Sequence, residues 1–205
     1  MEKKSVRILI DNGHGSNTAG KCAPDKSLFE YKWARAIATS LVNELARLGY
    51  KAERIVPETT DVSISERCRR VNAVCAKYGA KNCVLVSVHI NASGSCGAWY
   101  NAKGFSVFVS KNASSNSKKL ASYFTDLAVA RKMTGNRSVP ACKYWTWSWT
   151  SQDIGILKGT NCPAVLTENF FQDNREDVAY LLSDAGKRAI LDLHIQSLTK
   201  YIEQL

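Results

Sequence analysis

Three residues with chemical capacity stand where apolar, β-rich runs stop. His14 follows Val6–Ile10, His89 follows Val84–Val88, and Glu168 follows Val165–Thr167. In open α/β sheets, sites form beyond the carboxyl ends of the strands, so all three converge on one sheet edge. Two imidazoles with a carboxylate are a catalytic zinc set: neutral nitrogens, one anionic oxygen, and a fourth position open to water. Glu30 is the best candidate for the third ligand, because the loop after His14 can fold it back over the strand end. Each residue also has a plainer reading. Ser27-Leu28-Phe29-Glu30 has the form of a capping box, in which Glu30 bonds only the Ser27 backbone. His14, between Gly13 and Gly15, suits a turn. His89 alone suits a satisfied buried histidine. Together at neighbouring strand ends, the residues favour the metal reading. His194, in line with Ile190 and Leu198, reads instead as a helix-face histidine.

The elements that must carry these residues are legible from periodicity. Val6–Ile10 predicts a short strand ending in Asn-Gly and His-Gly turn signals. A helix is expected from Ser27, with Ala34, Ile37, Leu41, Leu45 and Leu48 at helical spacing and Gly49 as its stop. Lys51–Val56 reads as a strand. Ser63 opens a helix whose apolar face is Ile64, Val71, Val74, Cys75 and Tyr78, capped by Gly79. Val84–Val88 is apolar throughout, as a strand covered on both faces should be. A strand at Gly104–Val109, a helix at Ser117–Lys132 and a short helix at Ile154–Lys158 follow, and residues 133–150 carry no clear period. "CPAVLTENFF" predicts a buried strand, and helices are expected near 174–183 and 185–204. Strands alternating with helices imply an α/β fold, a mostly parallel twisted sheet of about six strands flanked by helices. With no linker, repeat or low-complexity stretch, residues 1–205 are expected to form a single domain.

Bulk properties narrow the class. The chain has 205 residues, 45% hydrophobic and 22% charged, which argues for a packed globular domain rather than disorder. A net charge of +10 suits a polyanionic partner: nucleic acid, an anionic membrane or an acidic cell-wall polymer. The basic residues are scattered, with short groups such as Arg67, Arg69 and Arg70, so nucleic acid is not the expected partner. Seven cysteines, an odd number without C-x-x-C spacing, read as reduced thiols of a chain made in the cytoplasm. The first apolar run is too short for a signal peptide, and no stretch is long enough to span a membrane.

Four segments in order, "LIDNGHGS", "LFEYKWARAIA", "LVSVHINAS" and "CPAVLTENFF", together with the looser "TTDVSISERCRRVNA" and "FQDNREDVAYLLS", resemble the zinc-dependent N-acetylmuramoyl-L-alanine amidases of the amidase-3 type. The resemblance implies a six-stranded α/β domain that cuts the amide between the muramyl lactyl group and the first L-alanine of peptidoglycan. It assigns His14, Glu30 and His89 to Zn2+ and the catalytic base to Glu168. Residues 1–205 are then expected to be a single catalytic domain without a separate wall-binding module, a monomer acting on the cell wall after release or export, as a phage or prophage endolysin or a bacterial wall-remodelling enzyme. Two positions depart from the family pattern: Ser16, where a second glycine is common, and Glu168-Asn169-Phe170-Phe171, where many members read E-x-G-F. Asn91 and two tryptophans of "YWTWSWT", Trp145 and Trp147, are candidate substrate contacts. Trp145, Trp147 and Trp149 alternate and share a face if extended, which suits either sugar stacking or a packed strand. The rival functions are another zinc peptidase or deacetylase on a similar sheet, and a non-catalytic wall-binding module.

Overall fold

The computed structural model describes residues 5–94, 97–133, 145–146 and 154–205. Six strands, β1 (Arg7–Asn12), β2 (Lys51–Arg54), β3 (Cys83–Asn91), β4 (Ser106–Val109), β5 (Trp145–Thr146) and β6 (Ala164–Phe171), form one sheet in the order β2-β1-β3-β6-β4-β5. All neighbours are parallel except β4 and β6, so the sheet is mostly parallel, as its alternation with helices requires. The helices are α1 (Glu30–Arg47), α2 (Ile64–Tyr78), α3 (Ser115–Ala130), α4 (Gly155–Lys158), α5 (Arg175–Leu182) and α6 (Asp184–Glu203).

The central strands are buried on both faces, and alternation divides their side chains between two cores. Ile8, Ile10, Val84, Val86, Val88 and Val165 pack with α1, α3 and α6. Leu9, Leu85, Leu166 and Phe108 point the other way and pack with α2 and α4. The result is a three-layer helix–sheet–helix arrangement. The same alternation puts Asp11, Ser87, His89 and Glu168 on the α2 side of the sheet.

Several expected boundaries move for local reasons. Ser27 does not open α1: its N–H and hydroxyl both donate to Asp25 Oδ1, at 3.0 and 2.6 Å, in a turn. The helix begins at Glu30, after Phe29, which makes no side-chain cap. Ser63 does cap α2, accepting from the Glu66 N–H, and Gly79 ends it with φ 87°. The buried face of α2 is Arg67, Val71 and Cys75, whereas Ile64, expected in that face, is 49% exposed. Strand β3 runs three residues past the apolar block, so His89 lies within the strand and not beyond it. Among the described residues no helix is long and apolar enough to cross a membrane.

Candidate metal centre

The first strand ends at Asn12, and the chain turns immediately. Gly13 N–H still donates to Val88 O at 2.9 Å, and His14 takes a left-handed conformation at φ 55°. The expected use of the flanking glycines, as the residues that turn, is not what the structure places there. His14 itself makes the turn, and the glycines clear space. A Cβ on Gly13 would lie 2.4 Å from the His89 ring, and one on Gly15 would lie 1.9 Å from the Asp61 backbone nitrogen.

Glu30 enters at the first residue of α1, where its N–H donates to Lys21 O at 3.0 Å. Its side chain does not return to Ser27, so the capping-box reading fails. Instead Oε1 accepts from Ile90 N–H at 3.0 Å and lies 3.1 Å from His89 Nδ1 and 3.6 Å from His14 Nε2. The two rings meet edge-on, with centroids 5.0 Å apart and planes at 86°. One donor atom from each of His14, Glu30 and His89 lies within 4.8 Å of the others, the only such group among the described residues. Glu30 is fully buried, and its Oε2 has no hydrogen-bond partner. A buried carboxylate with one oxygen against two imidazoles and the other unpaired is costly unless a cation completes it. The donor set therefore fits a divalent transition metal.

Glu168 is the register partner of His89 across β3 and β6, so the two side chains share the same face of the sheet. Its Oε2 is buried without a partner. Burial pushes this carboxyl up to about 7, the Glu30 charge adding to the rise and His89 and Lys21 opposing it. Burial also lowers His14 to about 4, although Glu30 favours its charged form; a neutral imidazole is the form that binds metal. A cavity of about 310 Å³ borders the group, and its lining includes His14, His89, Val62, Ile64, Ile154 and Leu166. Asn91 closes β3, and its Oδ1 accepts from Ala92 N–H at 2.8 Å. Trp147 lies outside the described residues, as do the side chain of Trp145 and all of Trp149. His194 is far from this edge in role: fully buried, it sits between Ile190 O and Thr167 Oγ1, at 2.8 and 3.0 Å, as a satisfied core histidine.

Sequence reading misses the group that holds the His14 loop in place. Arg67, counted there with a scattered basic field, is buried under the loop. It donates to Asp11 Oδ1 at 2.5 Å, to Asn12 O, to Val62 O and to Asp61 Oδ1. Asp61 Oδ2 accepts from Thr18 Oγ1, which accepts from Gly15 N–H, and Asp11 Oδ2 accepts from Ser87 Oγ. The available signal was Asp11 itself, a carboxylate at the end of an apolar strand, which demands a buried cation.

The family described as N-acetylmuramoyl-L-alanine amidase matches residues 8–200. The chain is 27% identical over 97% of its length to an endolysin of Bacillus phage SPP1, and 25% identical over 95% to the N-acetylmuramoyl-L-alanine amidase CwlM of Bacillus licheniformis. It spans 66% and 68% of the lengths of these two relatives. In fold it is similar to an N-acetylmuramoyl-L-alanine amidase from Clostridium difficile 630, with a TM-score of 0.80 at 21% identity over 98% of both chains. It is also similar to the catalytic domain of CwlV from Bacillus (Paenibacillus) polymyxa, with a TM-score of 0.76 at 20% identity over 97% of this chain and 98% of that one. The chain belongs to the N-acetylmuramoyl-L-alanine amidase family.

Proposed function

We propose that residues 1–205 form one catalytic domain, a zinc-dependent amidase that hydrolyses the bond between the muramyl lactyl group and the first L-alanine of peptidoglycan. The observation that carries the metal reading is the His14–Glu30–His89 cluster with its unpaired, buried Glu30 Oε2. His14 Nε2, His89 Nδ1 and a Glu30 oxygen would hold the ion, a His₂Glu set that leaves one position for water or substrate. When bound, zinc supplies Lewis acidity, which acidifies water and polarises a carbonyl.

The chain's own residues supply the rest. The Ile90 N–H fixes Glu30 Oε1, so the carboxylate is oriented before any ligand arrives. Glu168 stands one strand away, next to His89, as general base: it takes the proton of the attacking water and returns it to the leaving alanine nitrogen. The adjoining cavity, with its Ile64, Ile154 and Leu166 wall, suits the small alkyl groups that flank this amide. Asn91, Trp145 and Trp147 are proposed as substrate contacts. The likeness to a phage endolysin supports action on the wall after release from the cytoplasm, and the +10 charge suits an anionic wall.

The test pairs metal analysis with turnover on purified peptidoglycan. Glu168→Gln is expected to keep zinc and to lose at least about a hundredfold in stem-peptide release, the usual worth of a general base. His14→Ala and His89→Ala are expected to lose the zinc itself. Near wild-type lysis by Glu168→Gln, or full zinc occupancy in either histidine variant, overturns the assignment. Release of acetate or of a terminal amino acid, in place of whole stem peptides, would mark a deacetylase or carboxypeptidase.

A further inference from the structure

At the opposite edge of the sheet from the metal centre, three buried cysteines meet. Cys75 lies on the inner face of α2, Cys83 is the first residue of β3, and Cys162 lies in the loop before β6. All three belong to the core on the α2 side of the sheet. Strand register explains the meeting. Leu85 pairs with Ala164, and Leu85 N–H donates to Pro163 O at 2.9 Å. Extending that parallel ladder back by two residues sets Cys162 beside Cys83 on the same face as Leu85 and Ala164. Helix α2 covers this face, and its Asn72, one turn before Cys75, ties down the loop of Cys162. Asn72 Nδ2 donates to Gly159 O at 2.8 Å, and its Oδ1 accepts from Asn161 N–H at 2.9 Å. The Cys75 thiol lies near enough to those of Cys162 and Cys83 for both neighbours to lower its pKa.

We propose that Cys75 and Cys162 form an intramolecular disulfide when the protein meets a peroxide, locking α2 to the entrance of β6. Of the two possible partners, Cys162 lies in the loop that Asn72 holds against α2, one turn from Cys75. Cys83 is held instead in the ladder opposite Arg7. A water-sized oxidant suits the site, where Cys75 is only 4% exposed. Cys75 is the attacking sulfur. Cys162, aided by Cys83, lowers the pKa of its thiol against the opposing effect of burial. The neighbouring Cys75 and burial raise Cys162, and burial first, then Cys75, raises Cys83.

The step balances. The Cys75 sulfur attacks one oxygen of hydrogen peroxide; an S–O bond forms, the O–O bond breaks, and the departing hydroxide leaves as water with the thiol's proton. The Cys162 sulfur then displaces the hydroxyl from the sulfenic acid. The S–S bond forms, the S–O bond breaks, and the hydroxyl leaves as a second water with the proton of Cys162. Two thiols give up two electrons, and one peroxide takes them. The three thiols do not gather as closely as the His14 group, which alone among the described residues puts all its donor atoms within 4.8 Å, so pairwise bonding fits them better than a shared soft metal.

The experiment treats the full chain with hydrogen peroxide and maps it by mass spectrometry without reduction. The expected product is a linked pair of peptides containing Cys75 and Cys162. The thermal midpoint should rise by roughly 5 °C or more, because the bond closes a long loop, and dithiothreitol should reverse the rise. Cys83→Ser is expected to retain both effects and Cys75→Ser to lose both. The linked peptide in the wild-type chain decides the matter if Cys75→Ser fails to fold. A Cys75–Cys83 link, sulfinic or sulfonic acid at Cys75 without a link, or a link with an unmoved or lowered midpoint each overturns the proposal.

Discussion

At the scale of single residues, the candidate site depends on what is missing as much as on what is present. Gly13 has no side chain, and the His89 ring occupies the space where one would be. Its φ is not in the left-handed region, so alanine is tolerated by the backbone there and the clash alone is tested. Gly13→Ala is expected to push the His89 ring aside and weaken the proposed binding of zinc by about tenfold or more, the scale at which displaced supporting contacts act on metal ligands. The fold should survive, at a cost of about 1–3 kcal/mol for the overpacking. Competition with a chelator of known affinity reads the first effect and a urea midpoint the second; unchanged affinity would mean that the ring position does not matter to the metal. The residue types themselves, two histidines and two glutamates beside apolar runs, were legible in the chain. The reason for Gly13 was not, because the ring it makes room for is brought by a distant strand.

At the scale of elements, the His14 turn is held by α2 rather than by its own sequence. Arg67 reaches from the first half of that helix to the carboxyl end of β1 and neutralises Asp11 beneath the loop. Arg67→Met keeps much of the side-chain volume but leaves the Asp11 carboxylate buried without its cation. The expected loss is about 3–5 kcal/mol of folding stability, read from denaturant midpoints. A loss below about 1 kcal/mol would show that Asp11 finds another partner. Most elements followed from apolar period alone: the block at 84–88 and the long faces of α1 and α6 needed no other signal. Ser27 misled because Asp25, two residues earlier, offers its hydroxyl and N–H a closer acceptor than the helix does. Ile64 misled because periodicity reports a helix face but not where the partner layer ends; here Ile64, the first residue of α2, is half-exposed and walls the cavity instead.

At the scale of the whole molecule, His194 couples the outer helix layer to the central sheet. It joins α6 to β6 through Thr167 and packs edge-on against Phe124 of α3, with centroids 5.1 Å apart. Burial holds it down at about 4, against an ordinary value of 6.5. Above pH 6.5 neither the folded nor the unfolded chain protonates it, and its full contribution is present. As pH falls, the unfolded chain takes the proton first, so stability is lost progressively until about pH 4. The total is roughly 3 kcal/mol. Asp177, raised to about 6 mainly by burial, acts in the opposite sense. Subtracting the profile of His194→Gln from that of the wild type, by urea titration between pH 4 and 7.5, isolates the histidine. Equal slopes in the two proteins would refute its role.

The sequence by itself determined the fold class, the order of the elements apart from β5, and which four residues are candidates for chemistry. These are consequences of local apolar period and of side-chain type, which neighbours along the chain already carry. The tertiary structure alone decided which atoms meet. Strand register set Glu168 beside His89 and Cys162 beside Cys83. Helix packing brought Arg67 under His14 and Cys75 over the sheet. Glu30 became a facing carboxylate rather than a cap only when the end of β3 offered it the Ile90 N–H. Such contacts join residues tens of positions apart, and no local pattern can encode a distance that is fixed only when the layers close.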